Sequence, residues 1–507
     1  MKIGLVSMPF VGHLNPMISL ARKLQSRGHD ITFIGVPDVQ PFARAANLKF
    51  VAFCEDQYPA GSIARIYAPI SKLHGLEAAR HSVERNAGIF TAASRHLPKK
   101  LVETGVEGLV IDVIHTFLEL VPLSLGMPYA QISTGLHFDV SGTTPPFFYS
   151  WPHEETPAAV IRNREGVKTA AEIFAPIASA ARSYAEKAGL EIDWNDLNAT
   201  ASKLAVITQT PREFDFPNIP WPNEFHYAGP FHDSNGREPI GFPWDKLTGK
   251  PLVYASMGTL VNGLEQVYRI ILQALDQLSE IQVVLSIGDN VQPETVGNIP
   301  SNLILVRTAP QIQLLQHASL CITHAGLNTA LEALANGVPM VAIPIGYDQP
   351  GVAARIAYHG VGEFLDIEHL SVERLRRLIE QLLEDPQYRE KARWFQSVIA
   401  QTRGLDVAAD VIEREFDDIS RDATPTVLSH VEARQNRTRL KARSSSFSNT
   451  NEGKEQHEKR KTERKSCSDN GGIEGNRREY REGSRGGGRF GHRQLRIVEK
   501  RRRQSCR

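Results

Sequence analysis

Cysteine is scarce in this chain of 507 residues, which contains only Cys54, Cys321, Cys467 and Cys506. No two of them form a Cys-x-x-Cys pair, and none stands in a cluster with histidine. This spacing argues against a disulfide framework and against a structural zinc site. We therefore expect a reducing, cytoplasmic setting and no bound metal.

Long apolar runs are also missing. No stretch reaches about 18 consecutive apolar residues, which argues against a membrane-spanning helix. The apolar run at the N-terminus is interrupted at Pro9 and Gly12 and is too short for a secretory signal. We expect no transmembrane segment, while peripheral membrane contact stays open.

Two common phosphate-binding motifs are absent. The turn after the first apolar run, Met8–Pro16, has one glycine instead of Gly-x-Gly-x-x-Gly, and the pattern Gly-x-x-x-x-Gly-Lys-Ser/Thr does not occur. Both absences disfavour NAD-dependent dehydrogenases and P-loop ATPases.

Basic residues outnumber acidic residues only in the C-terminal segment of the chain. Residues 421–507 contain 24 Lys and Arg against 11 Asp and Glu, together with much Ser and Gly and few large apolar residues. Such a composition buries too little surface to offset its ordering entropy, so we predict a disordered basic tail over 421–507. A solvated tail without a specific partner is favoured, although its Arg-Gly spacing leaves nucleic-acid contact open.

Residues 1–420, in contrast, alternate short apolar runs with amphipathic stretches. The runs lack internal polar alternation, which is typical of parallel strands covered on both faces. They are Lys2–Met8, Ile31–Val36, Phe50–Phe53, Gly108–Asp112, Tyr129–Ser133 and Leu204–Thr208, followed by Leu252–Ser256, Val283–Ile287, Leu303–Val306, Leu320–Thr323 and Met340–Ile343. The pattern predicts an α/β protein of two doubly wound, Rossmann-like domains.

Composition also suggests the domain boundaries. Pro and Gly are dense over 216–250, which indicates a linker between an N-terminal domain, 1–215, and a C-terminal domain, 251–404. A last helix is predicted over 405–420, packed on the body. The first helix is predicted over 15–27, with Asn15 as its cap and Pro16 in its first turn. Two such domains would present the carboxyl ends of their strands to one cleft.

Two titratable residues stand at the expected mouth of this cleft. His13 follows the first strand, and an imidazole there is a candidate general base because its ordinary pKa lies near neutral pH. Asp112 ends the strand Gly108–Asp112 and is a candidate to orient His13 and stabilise its charge. A packing histidine and a helix cap are the structural alternatives.

The second half carries small and polar residues at successive strand-to-helix turns. A helix N-terminus offers free N–H groups and a positive dipole end to phosphate. Each residue taken singly is explained by a role in a helix cap or in a turn of the chain. Together, however, these residues favour a phosphosugar or nucleotide-sugar site. They are Ser256, Gly258, Thr259, Thr308, Gln311, His324, Gly326, Asn328, Thr329, Glu332, Asp348 and Gln349.

In their order and spacing, the residues of Thr308–Gln349 resemble the nucleotide-sugar signature of the family 1, UDP-dependent glycosyltransferases of the GT-B fold. The likeness extends over about residues 1–420. The stretches ASMGT, ITHAGLNT and DQPGVAARIAYHGVG are most similar to bacterial macrolide-type and zeaxanthin-type glucosyltransferases.

The resemblance implies roles for these positions. It implies that His13 is the catalytic base and that Asp112 is its partner. It also implies that the donor is a UDP-sugar, and we expect UDP-glucose. Thr308 stands where plant members carry a tryptophan that stacks on uracil, so a TDP-sugar is an alternative donor. The implied contacts are Gln311 with uracil, Glu332 with ribose, His324, Asn328, Thr329, Ser256 and Thr259 with the diphosphate, and Asp348 and Gln349 with the sugar.

The acceptor is predicted from an aromatic, Pro-rich stretch in the first domain. Phe138, Phe147, Phe148 and Trp151 are candidates to line an apolar pocket. Such a pocket would take a lipophilic acceptor such as a carotenoid, polyketide, flavonoid or sterol. A packed loop is the alternative.

The predicted reaction is an inverting, metal-independent hexose transfer to an acceptor hydroxyl. His13 would remove the hydroxyl proton, and the helix N-terminus with His324 and Thr329 would stabilise the leaving diphosphate. No cofactor is expected besides the donor. The alternatives are a nucleotide-sugar epimerase, a lipid glycosyltransferase of the same fold, a non-catalytic nucleotide-sugar binding protein, and a nucleic-acid binder acting through its tail.

Overall fold

The computed structural model describes residues 1–233 and 240–422, with side chains through residue 417. These residues belong to one compact unit. Apart from residues 421 and 422, the predicted disordered tail lies outside the described residues.

The described strands form two sheets in which every pairing is parallel. The first sheet has the order β3-β2-β1-β4-β5-β6-β7, and the second has the order β10-β9-β8-β11-β12-β13. The strands are β1 (Lys2–Val6), β2 (Asp30–Gly35), β3 (Lys49–Ala52), β4 (Gly108–Asp112), β5 (Tyr129–Ser133), β6 (Ala205–Thr208), β7 (Phe225–Tyr227), β8 (Leu252–Ser256), β9 (Gln282–Ser286), β10 (Leu303–Val306), β11 (Ala318–Thr323), β12 (Met340–Ala342) and β13 (Gly362–Phe364).

Helices cover both sheets, which explains why the strand sequences are apolar throughout. They are α1 (Val11–Ser26), α2 (Gln40–Ala45), α3 (Ser62–Tyr67), α4 (Gly75–Thr104), α5 (Leu120–Leu125), α6 (Pro157–Ala188), α7 (Glu265–Asp276), α8 (Gln311–His317), α9 (Leu327–Ala335), α10 (Gln349–Tyr358), α11 (Val372–Glu384), α12 (Pro386–Gln401) and α13 (Gly404–Asp422). The predicted α/β architecture with two doubly wound sheets is confirmed.

Two local predictions were wrong. The first helix begins at Val11 rather than Asn15, with Phe10 at its N-cap, so Pro16 lies inside it. His13 is therefore a first-turn helical residue. The segment predicted as a linker contributes β7, which pairs with β6 at the edge of the first sheet. Three half-buried residues give too short an apolar run to predict a strand.

The last helix crosses back to the first domain. The guanidinium of Arg27, the C-cap residue of α1, binds Asp406, Asp410 and Glu413 of α13. A Cβ atom at Gly108 on β4 would lie 2.6 Å from the ring of Phe416, so α13 packs directly on the sheet. Helix α13 thereby ties the second domain to the first.

Candidate active site

In each sheet the strand order reverses at one point. In the first sheet β1 and β4 are neighbours, and in the second β8 and β11 are neighbours, although neither pair is consecutive in the chain. Ligands in open α/β sheets bind at such a switch point, beyond the carboxyl ends of the strands. His13 and Asp112 lie at the first switch point, and Ser256 and His324 lie at the second.

At the first switch point, Asp112 is fully buried and holds the His13 imidazole. His13 Nδ1 lies 3.0 Å from Asp112 Oδ2. Asp112 also accepts hydrogen bonds from the Ser7 hydroxyl (2.7 Å), the Thr134 hydroxyl (3.0 Å) and the Ile114 backbone N–H (3.2 Å). The predicted pair is therefore a four-partner network around one carboxylate.

The hydrogen bonds of His13 engage Nδ1 and leave the other ring nitrogen, Nε2, available to a substrate. His13 Nδ1 also lies 2.6 Å from Thr134 Oγ1. Since the Thr134 hydroxyl donates to Asp112, its oxygen accepts from His13, and Nδ1 therefore carries the proton. Nε2 has no hydrogen-bond partner among the described residues, and a quarter of the side chain (25%) is exposed. This is the tautomer in which Nε2 serves as a base.

The charges of the pair are coupled. Burial disfavours the imidazolium of His13, but the Asp112 carboxylate and its hydrogen bond outweigh this effect and raise the His13 pKa. Burial likewise opposes ionisation of Asp112, but the charge and hydrogen bonds of His13, with those of Ser7 and Ile114, lower the Asp112 pKa. Asp112 is thus ionised at neutral pH, as a charge-stabilising partner must be.

Residues of the second domain reach this pair across the cleft. Asp348 Oδ2 accepts a hydrogen bond from the backbone N–H of Leu136 (2.8 Å), two residues after Thr134. The negative charge of Asp348 contributes to the raised pKa of His13. The predicted sugar-binding carboxylate therefore faces the predicted base.

At the second switch point, the His324 imidazole sits in a cradle of glycines. A Cβ atom at either Gly258 or Gly326 would lie 2.5 Å from His324 Nε2. Burial lowers the pKa of His324 to about 4, so the ring is neutral, and its buried Nδ1 has no hydrogen-bond partner among the described residues. An unpaired buried nitrogen beside the N-terminus of α9 suits an oxygen-rich ligand.

Backbone conformation at the donor turns is unusual. Ala325 and Tyr347 have φ of 63° and 59°, in the left-handed region that non-glycine residues seldom adopt. Each directly precedes a predicted donor residue, Gly326 and Asp348. Such backbone is often found at ligand sites.

The side-chain amide of Gln311 links the residues that are predicted to contact the uracil and the ribose. Gln311 Nε2 donates to Glu332 Oε2 (2.7 Å) and to Thr329 Oγ1 (3.3 Å), while its oxygen accepts from the Tyr254 hydroxyl (3.0 Å). Glu332 is buried, so these bonds fix its carboxylate in one orientation.

Four other residues that are predicted to bind the sugar donor differ in their burial and in their hydrogen bonds. Ser256 ends β8, and its hydroxyl accepts from the Gly258 backbone N–H at 3.4 Å. Thr259 and Thr308 are exposed. Gln349 is buried, and its side-chain oxygen accepts from the backbone N–H groups of Ile345 and Gly346, so it holds the turn before α10.

The aromatic residues predicted for the acceptor form two separate groups. Phe147 contacts Phe138 and Phe148, with ring centroids 5.2 and 4.4 Å away. Trp151 instead stacks on Tyr149 at 3.9 Å. The phenylalanines also abut the second domain, because the Phe147 carbonyl accepts from the Gly351 N–H.

A small cavity lies elsewhere in the first domain. Its walls come from the ends of β1 and β4 and from α4 and α6, and include Met8, Ile89, Phe90, His115, Leu118 and Ile177. None of the four predicted aromatic residues lines it.

Sequence reasoning missed Ser7, Thr134 and Gln209. Ser7 and Thr134 bond Asp112, and Gln209 Nε2 donates to Asn328 Oδ1 across the cleft (2.7 Å). Ser7, Thr134 and Gln209 each closely follow a buried strand of the first sheet, at the edge where the site lies. That position was the available signal, although these residue types have many other uses there.

Two searches over the described ranges complete this description. Within residues 1–233 and 240–422, no group of three or more His, Cys, Asp and Glu side chains is arranged to hold a metal ion. In the same ranges, every helix is too short or too polar to cross a membrane.

Comparison with known proteins gives concordant results. The family described as "UDP-glucoronosyl and UDP-glucosyl transferase" matches residues 177–413. Zeaxanthin glucosyltransferase of Pantoea ananas is 26% identical over 411 residues, which cover 81% of this chain and 94% of the relative. The NDP-glycosyltransferase YjiC of Bacillus subtilis (strain 168) is 23% identical and is covered over 96% of its length.

Over residues 177–413 the chain therefore resembles the family of UDP-glucuronosyl and UDP-glucosyl transferases.

Solved structures agree on the fold of this chain. The calicheamicin glycosyltransferase CalG4 superposes with a TM-score of 0.61 at 22% identity, covering 83% of this chain and 99% of CalG4. The glycosyltransferase of kitacinnamycin gives a TM-score of 0.62 at 24% identity, covering 82% and 98% of the two chains. The predicted GT-B fold is therefore confirmed. The predicted enzyme class agrees with the sequence relatives, which are named glycosyltransferases.

Proposed function

We propose that this protein moves a hexose, with glucose expected, from a UDP-sugar to a hydroxyl of a lipophilic small molecule, with inversion at the anomeric carbon. The observation that carries the proposal is the His13–Asp112 pair, whose free Nε2 lies in the cleft with Asp348 of the other domain. A base on one side of the cleft and a phosphate-binding helix on the other suit one displacement across the sugar.

In the proposed step, His13 Nε2 takes the proton of the acceptor hydroxyl. The acceptor oxygen forms a bond to the anomeric carbon as the bond from that carbon to the diphosphate oxygen breaks, and the electron pair leaves with UDP. Asp112 stabilises the imidazolium that results. A general base contributes about 10²–10⁴-fold to the rate.

The N-terminus of α9 is proposed to stabilise the departing diphosphate. Its N–H groups, the Thr329 hydroxyl and the His324 imidazole are the donors in its neighbourhood, and the helix dipole adds positive potential. These groups supply the role that a metal ion plays in other transferases, so we propose a metal-independent reaction. Activity should survive chelation by EDTA.

The nucleobase of the sugar donor is the less constrained part of the proposal. Thr308 is exposed and lacks a ring to stack on a pyrimidine. For this reason a TDP-sugar is kept as a second donor. A cytoplasmic location and peripheral membrane contact remain predictions.

One assay tests these assignments together. The protein is incubated with UDP-glucose or TDP-glucose and a phenolic acceptor, and the anomeric configuration of the product is determined by NMR. An α-configured donor should give a β-glucoside. Retention of configuration, or a His13→Ala variant with near-normal turnover, would refute the proposed mechanism.

A further inference from the structure

One face of helix α10 contacts the first domain at three points. The contacts come from Asp348, Gly351 and Arg355, which a spacing of three and four residues places in one row along the helix. Asp348 Oδ2 accepts a hydrogen bond from the Leu136 backbone N–H at 2.8 Å. One turn later, the Gly351 N–H donates to the Phe147 carbonyl at 2.8 Å. The first two contacts therefore use the start of the helix, where N–H groups lack partners within the helix.

The third contact is a buried ion pair between the two domains. Arg355 is only 2% exposed, and its Nε and Nη2 donate to Asp215 Oδ1 of the first domain at 3.0 and 2.7 Å. Its Nη1 donates to the Gly351 carbonyl at 3.0 Å, and its guanidinium carbon lies 4.1 Å from the centre of the Phe216 ring. These contacts hold the Arg355 side chain in one orientation between the domains.

The other oxygen of Asp215 holds the loop that meets the predicted sugar-binding carboxylate. Asp215 Oδ2 lies 2.6 Å from His137 Nε2. His137 directly follows Leu136, whose N–H binds Asp348. The Asp215 carboxylate therefore fixes both partners of that contact, helix α10 through Arg355 and the loop through His137.

The Asp215 carboxylate is ionised despite its burial. Burial opposes ionisation, but His137 and Arg355, together with a hydrogen bond from the Tyr227 hydroxyl, outweigh this effect and lower the Asp215 pKa. Replacing a buried ion pair by apolar residues is often neutral for stability, because the desolvation of the two charges offsets their attraction. We therefore look for the role of this pair in the relative position that it gives to the groups of the two domains.

We infer that Arg355 and Asp215 are positioning residues, which set the place of Asp348 opposite His13. The inference rests on the proposed function, in which Asp348 binds the sugar and His13 takes the proton of the acceptor hydroxyl. A displacement of about 1 Å between such groups costs roughly 10²-fold in rate. The diphosphate of the donor is proposed to bind at α9, away from this row of contacts. Loss of the ion pair should therefore lower kcat and leave UDP affinity unchanged.

The test compares Arg355→Met and Arg355→Lys in the full chain. With UDP-glucose and a phenolic acceptor, Arg355→Met should lower kcat about 10²-fold. Arg355→Lys keeps the charge but lacks the fork of guanidinium N–H groups, so it should recover only part of kcat. Both variants should bind UDP as the wild type does, measured by thermal-shift titration. A folded Arg355→Met with the wild-type kcat would overturn the inference.

A double variant separates positioning from stability. Arg355→Met leaves the Asp215 carboxylate buried without its cation, which destabilises the fold. Adding Asp215→Asn removes that charge and should restore much of the stability, but kcat should stay low because α10 is still not held. Recovery of kcat together with stability would mean that the pair acts on stability alone, which would overturn the inference. If Arg355→Met does not fold, the double variant and Arg355→Lys provide the same comparison.

Arg27→Met is the matched control. Arg27 also binds carboxylates of a distant helix, α13, but it lies at the opposite end of α1 from His13. Its replacement should lower thermal stability and leave kcat unchanged. An equal loss of kcat in Arg27→Met and Arg355→Met would count against a specific role for Arg355.

Hydrogen–deuterium exchange tests the geometry independently of the reaction. The backbone amides of Leu136 and Gly351, which donate across the cleft, should lose protection in Arg355→Met, whereas the buried strand β4 should stay protected. Unchanged protection of both amides in a folded Arg355→Met would overturn the inference. Lost protection in a protein whose wild type forms no glucoside would support the role of Arg355 in holding α10 and count against the proposed reaction.

Discussion

The side-chain amide of Asn328 donates a hydrogen bond of 2.5 Å to the backbone carbonyl of Gly12, and Pro16 is the reason this carbonyl is free. In a helix, residue 16 would donate to residue 12, but proline has no N–H. The Gly12 carbonyl therefore has no partner within α1, and Asn328 bonds it from across the cleft, beside His13. Asn328 in turn accepts from Gln209, so both ends of its amide are held by the first domain.

This contact predicts an effect of Pro16→Ala on donor binding. The alanine N–H would bond the Gly12 carbonyl within the helix and release Asn328, which is proposed to bind the diphosphate. We expect higher thermal stability and UDP binding up to fivefold tighter, since one hydrogen bond is worth about 1 kcal/mol. Both quantities follow from a thermal-shift titration with UDP.

The chain offers a matched control, because Pro98 also lies inside a helix, α4. Pro98→Ala should raise stability without changing UDP affinity. Equal affinity gains in both variants, or weaker UDP binding by Pro16→Ala, would contradict the proposed release of Asn328.

The acid limb of the pH–rate profile should report the His13–Asp112 pair. The neutral imidazole is the active base, and Asp112 raises its pKa, so activity is lost as pH falls through that raised pKa. Asp112→Asn should lower the rate by about 10²-fold or more and move the acid limb to lower pH, because the stabilising charge is gone. The measurement is kcat/KM against pH for both proteins, and an unmoved limb would mean that another group titrates.

Gly258 should be essential for the donor cradle. Its φ is +75°, and a Cβ there would meet the His324 imidazole. Gly258→Ala should abolish measurable UDP binding by displacing His324. Gly249 has a similar φ of +81° with nothing within 4 Å of a built Cβ, so Gly249→Ala isolates the backbone strain. That control should cost about 1 kcal/mol of stability and leave UDP binding intact. UDP binding retained by Gly258→Ala would exclude the cradle.

How far the sequence predicts the fold depends on strand length and burial. Gly108–Asp112 and Tyr129–Ser133 match the prediction at both ends because all ten residues are buried. The three-residue strands β7 and β13 were not predicted, since each lies at a sheet edge and is only partly buried. The start of α1 was misplaced because Pro16 resembles a first-turn residue, whereas here it interrupts the second turn.

Residues of the candidate site could be predicted only where the residue type by itself indicates the chemistry. His13 and Asp112 are an ionisable pair at strand ends, and their contact is present in the structure. Thr134 and Gln209 gain significance from the side chains they contact, which depends on packing between distant segments. The same holds for the aromatic stretch, in which Phe147 packs against other phenylalanines and Trp151 against Tyr149.

Glu119 predicts an unusual dependence of stability on pH. Its carboxyl is buried in the first domain, with the residue 5% exposed, and it accepts a hydrogen bond from the Thr200 hydroxyl at 2.7 Å. Burial raises the pKa of Glu119 to about 7, and the Thr200 bond only partly opposes the rise. The folded state therefore holds a proton that the unfolded state has released between pH 4.5 and about 7.

Since the folded state binds more protons, this group makes stability fall as pH rises through that interval. Glu119→Gln keeps an oxygen for Thr200 and removes the ionisation. It should be more stable than wild type by about 3 kcal/mol at pH 8, with the difference vanishing below pH 4.5. Urea unfolding at several pH values measures this difference. Glu172→Gln, at an exposed position on α6, is the control and should show no such pH-dependent gain. A pH-independent difference for Glu119→Gln would mean that the carboxyl is ionised in the fold at an ordinary pKa, with its charge met by a partner or by water.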